Sequence, residues 1–284
     1  MKIVYIYFLN QFKLKLMKHV LLTIFLLIAL GASSQEQKLS DSEIKIKLDS
    51  IKQEANLMFA LENASWNATD IVRENNKVNN KIGGYLTYKI DDVVKTVFFN
   101  ATTDKVLIEY NFKNDWQFPT NTNETERDLL DIEKKLHHSK NNLISQLSDK
   151  KYEVFVPDGF NLNIVSFPFG DKIKHYIITG ATETGVIPFG NDYLFITDED
   201  GKILTHNKFH SRLIPAYTNE VDGKVISKIS HSHLHTTPFI SATDICTFKL
   251  YAPFSKLEKF SVYSPALDCY FEYDYTNDTL IKTE

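Results

Sequence analysis

From Ser40 onward the apolar residues fall at a spacing that only a helix gathers onto one face. Ile44, Leu48, Ile51, Ala55, Met58 and Leu61 recur every three or four positions, with Ser40 or Asp41 placed to cap the start. The period then shortens. Gly84 to Ile90, Val93 to Asn100 and Lys105 to Phe112 are strand-length runs, separated by Asp91-Asp92 and by Thr102-Thr103-Asp104. Turns that short join antiparallel neighbours, so the three runs predict a meander. A second helical stripe, Leu129 through Leu147 within 124–147, follows it.

Beyond Lys151 the texture becomes β-rich. Strands are expected over 152–156, 162–167 and 175–179. A hairpin pairs 193–197 with 202–209 around Asp198-Glu199-Asp200-Gly201. A strand over 225–230, a helix over 242–251 and strands over 259–263 and 269–274 complete the chain. The fold class is therefore α+β: a helix, an antiparallel meander and a helix in 35–150, then a β-rich module in 151–284.

Composition narrows the function classes. Of 284 residues 43% are hydrophobic and 24% charged, with a net charge of −4, enough for a packed core and no polycation. No basic run with interleaved aromatics occurs, so no nucleic-acid partner is expected. No Gly-rich phosphate loop and no Gly-x-Ser-x-Gly elbow is present. At the N-terminus Lys13, Lys15 and Lys18 precede an apolar run from Val20 to Leu30, and Ala32-Ser33-Ser34 offers a cleavage site. That layout predicts a signal peptide over 1–34, with Met17 as a possible start, and export to the periplasm or medium. The apolar run is short for a bilayer, so no stable membrane span is expected after cleavage. Cys246 and Cys269, the two cysteines, could pair in an exported protein or remain buried thiols.

Chemistry concentrates in one segment. His231 and His233 stand at i and i+2 of an extended run and so face one side. Asp244 follows eleven residues later, where Pro238 and Ser241 allow a turn into a helix. Two imidazoles and a carboxylate leave the fourth position of a tetrahedral zinc open, as catalysis requires. Five of the nine histidines lie between His206 and His235. His206, His210 and His235 read most simply as surface or hydrogen-bonded residues; the sharper alternative is that one of them replaces an expected ligand, or that the patch binds metal without catalysis. His137-His138 is read as solvated helix surface, because adjacent helical residues diverge.

His231-Ser232-His233, seven residues, then Ser241-x-x-Asp244 resembles the signature of the JAMM (Jab/MPN-domain) zinc metallopeptidases. The resemblance implies that His231, His233 and Asp244 ligate zinc, that Ser241 stabilises an oxyanion, and that an upstream glutamate, best matched by Glu183, takes the proton from zinc-bound water. The function it implies is an exported zinc-dependent hydrolase of peptide or isopeptide bonds, acting on a peptide or protein substrate. The other reading is a non-catalytic exported binding or scaffold protein. In it, 231–244 is a structural strand-turn-helix joint and Ser241-x-x-Asp244 a capping box.

Overall fold

The structure, a computed structural model, describes residues 39–218 and 226–284. The expected signal peptide lies outside the described residues. Helix α1 (Asp41–Glu74) runs further than the first stripe, because Ala64, Ala68 and Val72 extend the same buried face at four-residue steps. Strands β1 (Ile82–Ile90), β2 (Val93–Asn100) and β3 (Val106–Phe112) form the expected antiparallel meander, and the short β4 (Asn121–Asn123), not anticipated, extends it past β3.

Helix α2 (Asp131–Gln146) starts seven residues later than the 124–147 range. The reason is polar: Arg127 joins the sheet edge through backbone hydrogen bonds with Val106, and the Leu130 amide is capped by the Glu133 carboxylate at 2.7 Å. The strand expected over 152–156 is absent. A single 3-10 turn (Lys150–Tyr152) stands there, followed by Glu153 at φ 53°.

A second four-stranded antiparallel sheet has the order β5 (Phe160–Phe169), β6 (Lys172–Ala181), β8 (Tyr193–Thr197), β9 (Ile203–Lys208). Two strands not anticipated, β7 (Val186–Gly190) and β10 (Leu213–Tyr217), pair with each other. The third four-stranded sheet orders β11 (Lys228–Ser232), β12 (Lys259–Ser264), β13 (Cys269–Asp274) and β14 (Thr279–Thr283). β11 begins three residues later than the expected 225–230 strand. It pairs parallel with β12, His231 opposite Val262, and helix α3 (Ala242–Tyr251) connects them. A parallel pair needs such a crossover, so this is a βαβ unit. In it α3 is buried nearly all round, from Ala242 to Phe248 and again at Leu250.

Residues Ile44–Glu284 form one compact unit. The main core joins Val94, Phe98 and Ile108 to Val165, Tyr176, Phe248 and Phe260, so the change of texture near residue 150 does not separate two cores. Cys246 and Cys269 are buried free thiols. Among the described residues no helix is long and apolar enough to cross a membrane.

One buried histidine ties α2 to the second sheet. His175 is fully buried; its Nδ1 lies 2.7 Å from Ser166 Oγ and its Nε2 3.0 Å from Ser139 Oγ. Burial, with Lys140 nearby, pushes its pKa down to about 3. In the unfolded chain a histidine titrates near 6.5. The unfolded state thus binds the extra proton first as pH falls, and stability present above about 6.5 drains away toward 3 at roughly 1.4 kcal/mol per pH unit. Urea unfolding at pH 7 and pH 5 should show a loss about 2 kcal/mol larger in the wild type than in His175→Gln. Parallel pH profiles would refute this.

Candidate metal centre

The βαβ unit builds the site. A parallel strand ends where its crossover helix begins, which brings the last residues of β11 beside the first turn of α3. His231 is in β11, and His233 sits just past it, its backbone N–H still bonding the Tyr263 carbonyl at 2.9 Å. The two rings share one side, centroids 5.4 Å apart and nearly parallel. Ser241 caps α3, its Oγ accepting from the Asp244 N–H at 3.0 Å. Asp244 returns the bond, taking the Ser241 N–H at 2.9 Å and its Oγ–H at 2.6 Å, all on Oδ2. Ser241 therefore orients Asp244. The other oxygen, Oδ1, is buried and has no hydrogen-bond partner.

His210 enters from a second direction. It lies beyond the end of β9, not on a strand face with His206, whose ring instead packs 5.0 Å from Tyr152. His210 replaces none of the expected ligands but stands beside all three of them. Its Nε2 lies 2.9 Å from His233 Nε2, 3.3 Å from His231 Nε2 and 3.4 Å from Asp244 Oδ1. Asp244 Oδ1 is 3.2 Å from His231 Nε2, and Oδ2 is 3.0 Å from His233 Nε2.

The protons reveal what these atoms face. His210 Nδ1 is 2.7 Å from Asp192 Oδ1, and a carboxylate only accepts, so Nδ1 carries the proton. His233 Nδ1 is 3.3 Å from the Thr237 carbonyl and donates likewise. In their neutral forms both rings turn bare Nε2 lone pairs toward one another and toward a carboxylate. A positive charge among them, a metal ion or a proton on His210 Nε2, makes that favourable. Atoms ~2.0–2.1 Å from a tetrahedral ion stand ~3.3 Å from each other; the five separations given above are 2.9 to 3.4 Å, and the four ligand atoms all lie within 4.8 Å of one another. His210, His231, His233 and Asp244 can therefore hold a metal ion, and Asp192 and Thr237 supply the outer hydrogen bonds that fix ligand tautomers. Asp192 Oδ2 accepts in turn from Thr243 Oγ1–H. With a dication, the two carboxylates balance the charge.

Without an ion the cluster draws the positive charge onto His210 itself. Burial opposes a charge on His210, yet Asp192 and Asp244 outweigh it and raise its pKa to about 9. Burial lowers that of His231 despite Asp244. Burial also opposes ionisation of Asp244, but His210, His233 and His231 hold it far below the carboxylate range. The pocket is built around a carboxylate and one positive charge.

Gly190 makes the approach of His210 possible. It has φ +75°, and a Cβ there would lie 2.3 Å from the Arg212 carbonyl oxygen and 3.3 Å from His210 Cβ. Gly190→Ala should cost at least about 2 kcal/mol and weaken metal retention, because strain and clash both fall on the loop that presents His210. Wild-type melting and metal content in this variant would contradict the account.

Glu183 is placed elsewhere. It is exposed on the loop before β7 and lines a different cavity, alongside Trp66 and Tyr251. It is not among the residues of the cluster, whose fourth member is His210. His210 stands as a further candidate ligand where an open position was expected. No family model, no curated protein and no solved structure matches this chain.

Proposed function

We propose that this is an exported, non-catalytic metalloprotein in which a zinc ion held by His210, His231, His233 and Asp244 locks the βαβ unit to the β9–β10 connection. The observation that carries the reading is Asp244 Oδ1, buried without a hydrogen-bond partner and set against the Nε2 atoms of His210 and His231. Three imidazoles and one carboxylate suit zinc among the common divalent ions, and a complete set of four is the mark of a structural site. The ligand side chains are no more than 6% exposed, which leaves little room for a substrate. When bound, the ion supplies a cross-link between segments distant in sequence. Export rests on the residues before Gln35.

Elemental analysis of protein purified without added metal should give one zinc per chain, and cobalt exchanged into the site should show the intense visible bands of a tetrahedral ion. Stripping with a chelator should lower the melting temperature. The hydrolase reading expects something else: peptide-bond cleavage that vanishes on chelation while the melting temperature stays put. That result would overturn the proposal.

A further inference from the structure

A second site stands apart from the histidines. Between α1, β1, β5 and the end of α3 lies a cavity of about 490 Å³, the size of a small-molecule site. Its walls include Trp66, Tyr85, Tyr251 and Phe254. Two of these rings are fixed in place. Trp66 Nε1–H donates to Glu62 Oε1 at 2.7 Å, and Tyr251 OH accepts from the Ala181 N–H at 2.7 Å. The two rings meet edge to face with centroids 5.5 Å apart. Phe254 is 75% exposed, an apolar plate left open to solvent.

The polar lining is of a different kind. Asn161 and Asn163 reach it from alternate positions of β5, and each carboxamide both donates and accepts. Gly180 opposes Asn163, and a Cβ there would come 3.0 Å from Asn163 Nδ2, so this wall depends on a missing side chain. Charge on the lining is mixed: Asp70 pairs with Arg73 at 3.4 Å, and Glu183 lines the same cavity. Arg73 disfavours a cation and the two carboxylates disfavour an anion. Asn163 already hydrogen-bonds Glu62, and a wholly apolar ligand would leave its remaining polar atoms and those of Asn161 without partners. What remains is a neutral molecule with flat apolar faces and an edge of groups that donate and accept. A pyranose has C–H faces that stack on aromatic rings and hydroxyls that match carboxamides.

We propose that this cavity binds a short neutral saccharide, with Trp66 and Phe254 as stacking surfaces and Asn161 and Asn163 as the hydroxyl-reading groups. The assignment is independent of the metal centre.

The chain has two tryptophans, so Trp116→Phe leaves Trp66 as the only indole. In that background the full-length protein is titrated with glucose, galactose, N-acetylglucosamine, maltose, cellobiose and chitobiose to about 20 mM, the weak end of useful affinity. At least one sugar should change Trp66 emission saturably. Asn161→Ala and Phe254→Ala, both at solvent-accessible positions, should each weaken binding by about tenfold without altering the melting temperature. The proposal falls if no sugar gives a saturable change, or if the two variants bind as the parent does. It also falls if tetramethylammonium or benzamidine binds more tightly than every sugar.

Discussion

His233→Ala is expected to leave purification without bound metal and to melt where chelator-treated wild type melts. The ring it removes is wholly buried and supplies the nitrogen nearest to His210 Nε2, at 2.9 Å. Three ligands remain, too few for a closed tetrahedral ion. Their loss then exposes a second cost, since Asp244 stays buried with Oδ1 unpartnered. That carboxylate is then balanced only by His210 and His231, and breaking such a buried charge set costs about 3–5 kcal/mol, which for a chain of this size is a drop of roughly 6–20 °C. Chelation of the variant should lower its melting temperature no further, because ion and side chain act through one centre. Full metal content in His233→Ala would remove the four-ligand centre. Metal loss with an unshifted melting temperature would remove its structural role. Glu183→Gln provides the contrast: exposed and outside the cluster, it should change neither quantity.

Three of this centre's four candidate ligands are legible in the sequence, and the reason is local geometry. His231 and His233 share a side because strand side chains alternate, and Asp244 is placed by the cap that Ser241 begins; both facts concern a few neighbouring residues. His210 and Asp192 are 21 and 39 residues before His231 and reach the site only because β7 pairs with β10 and turns back at Gly190. No periodicity encodes that pairing. Nor does the sequence pattern of 228–232 show that β11 runs parallel to β12, the arrangement that puts strand end and helix start together. The helices and meander strands were readable because their periods of 3.6 and 2 are intrinsic to the chain. The segment 124–130 was not. Its run of charged residues reads as the first turn of a helix but yields to Arg127, which is held to β3 by two backbone hydrogen bonds and to two carboxylates by its side chain. Tertiary contacts override local preference there.

Arg127→Ala should be the most destabilising change away from the metal centre, at about 3–5 kcal/mol. Its guanidinium grips Glu133 with both nitrogens at 2.7 Å and Glu109 with one at 2.6 Å. Glu133 is fully buried and also accepts from Tyr88 OH at 2.6 Å, while Glu109 retains Lys95 at 2.9 Å. Burial pushes the Glu133 pKa up, but Arg127, Tyr88 and the Leu130 N–H outweigh it, so in the wild type the net shift is downward. This carboxylate thus stabilises the native state above the ordinary glutamate range and loses that contribution in acid. Without Arg127 the burial cost is opposed only by two neutral donors and the shift reverses. The variant should then suffer most at neutral pH, and its deficit should shrink as falling pH neutralises the stranded carboxyl. Arg127→Lys should recover only part of the loss, because an ammonium cannot hold both oxygens in a fork. Arg127→Met combined with Glu133→Gln should be more stable than Arg127→Met alone, since the second change removes the buried charge. Urea unfolding of these four variants at pH 7 and pH 4.5 tests the argument; a deficit below about 1 kcal/mol, the usual worth of a surface pair, would mean that the network is decoration on the β3–α2 contact and not its clamp.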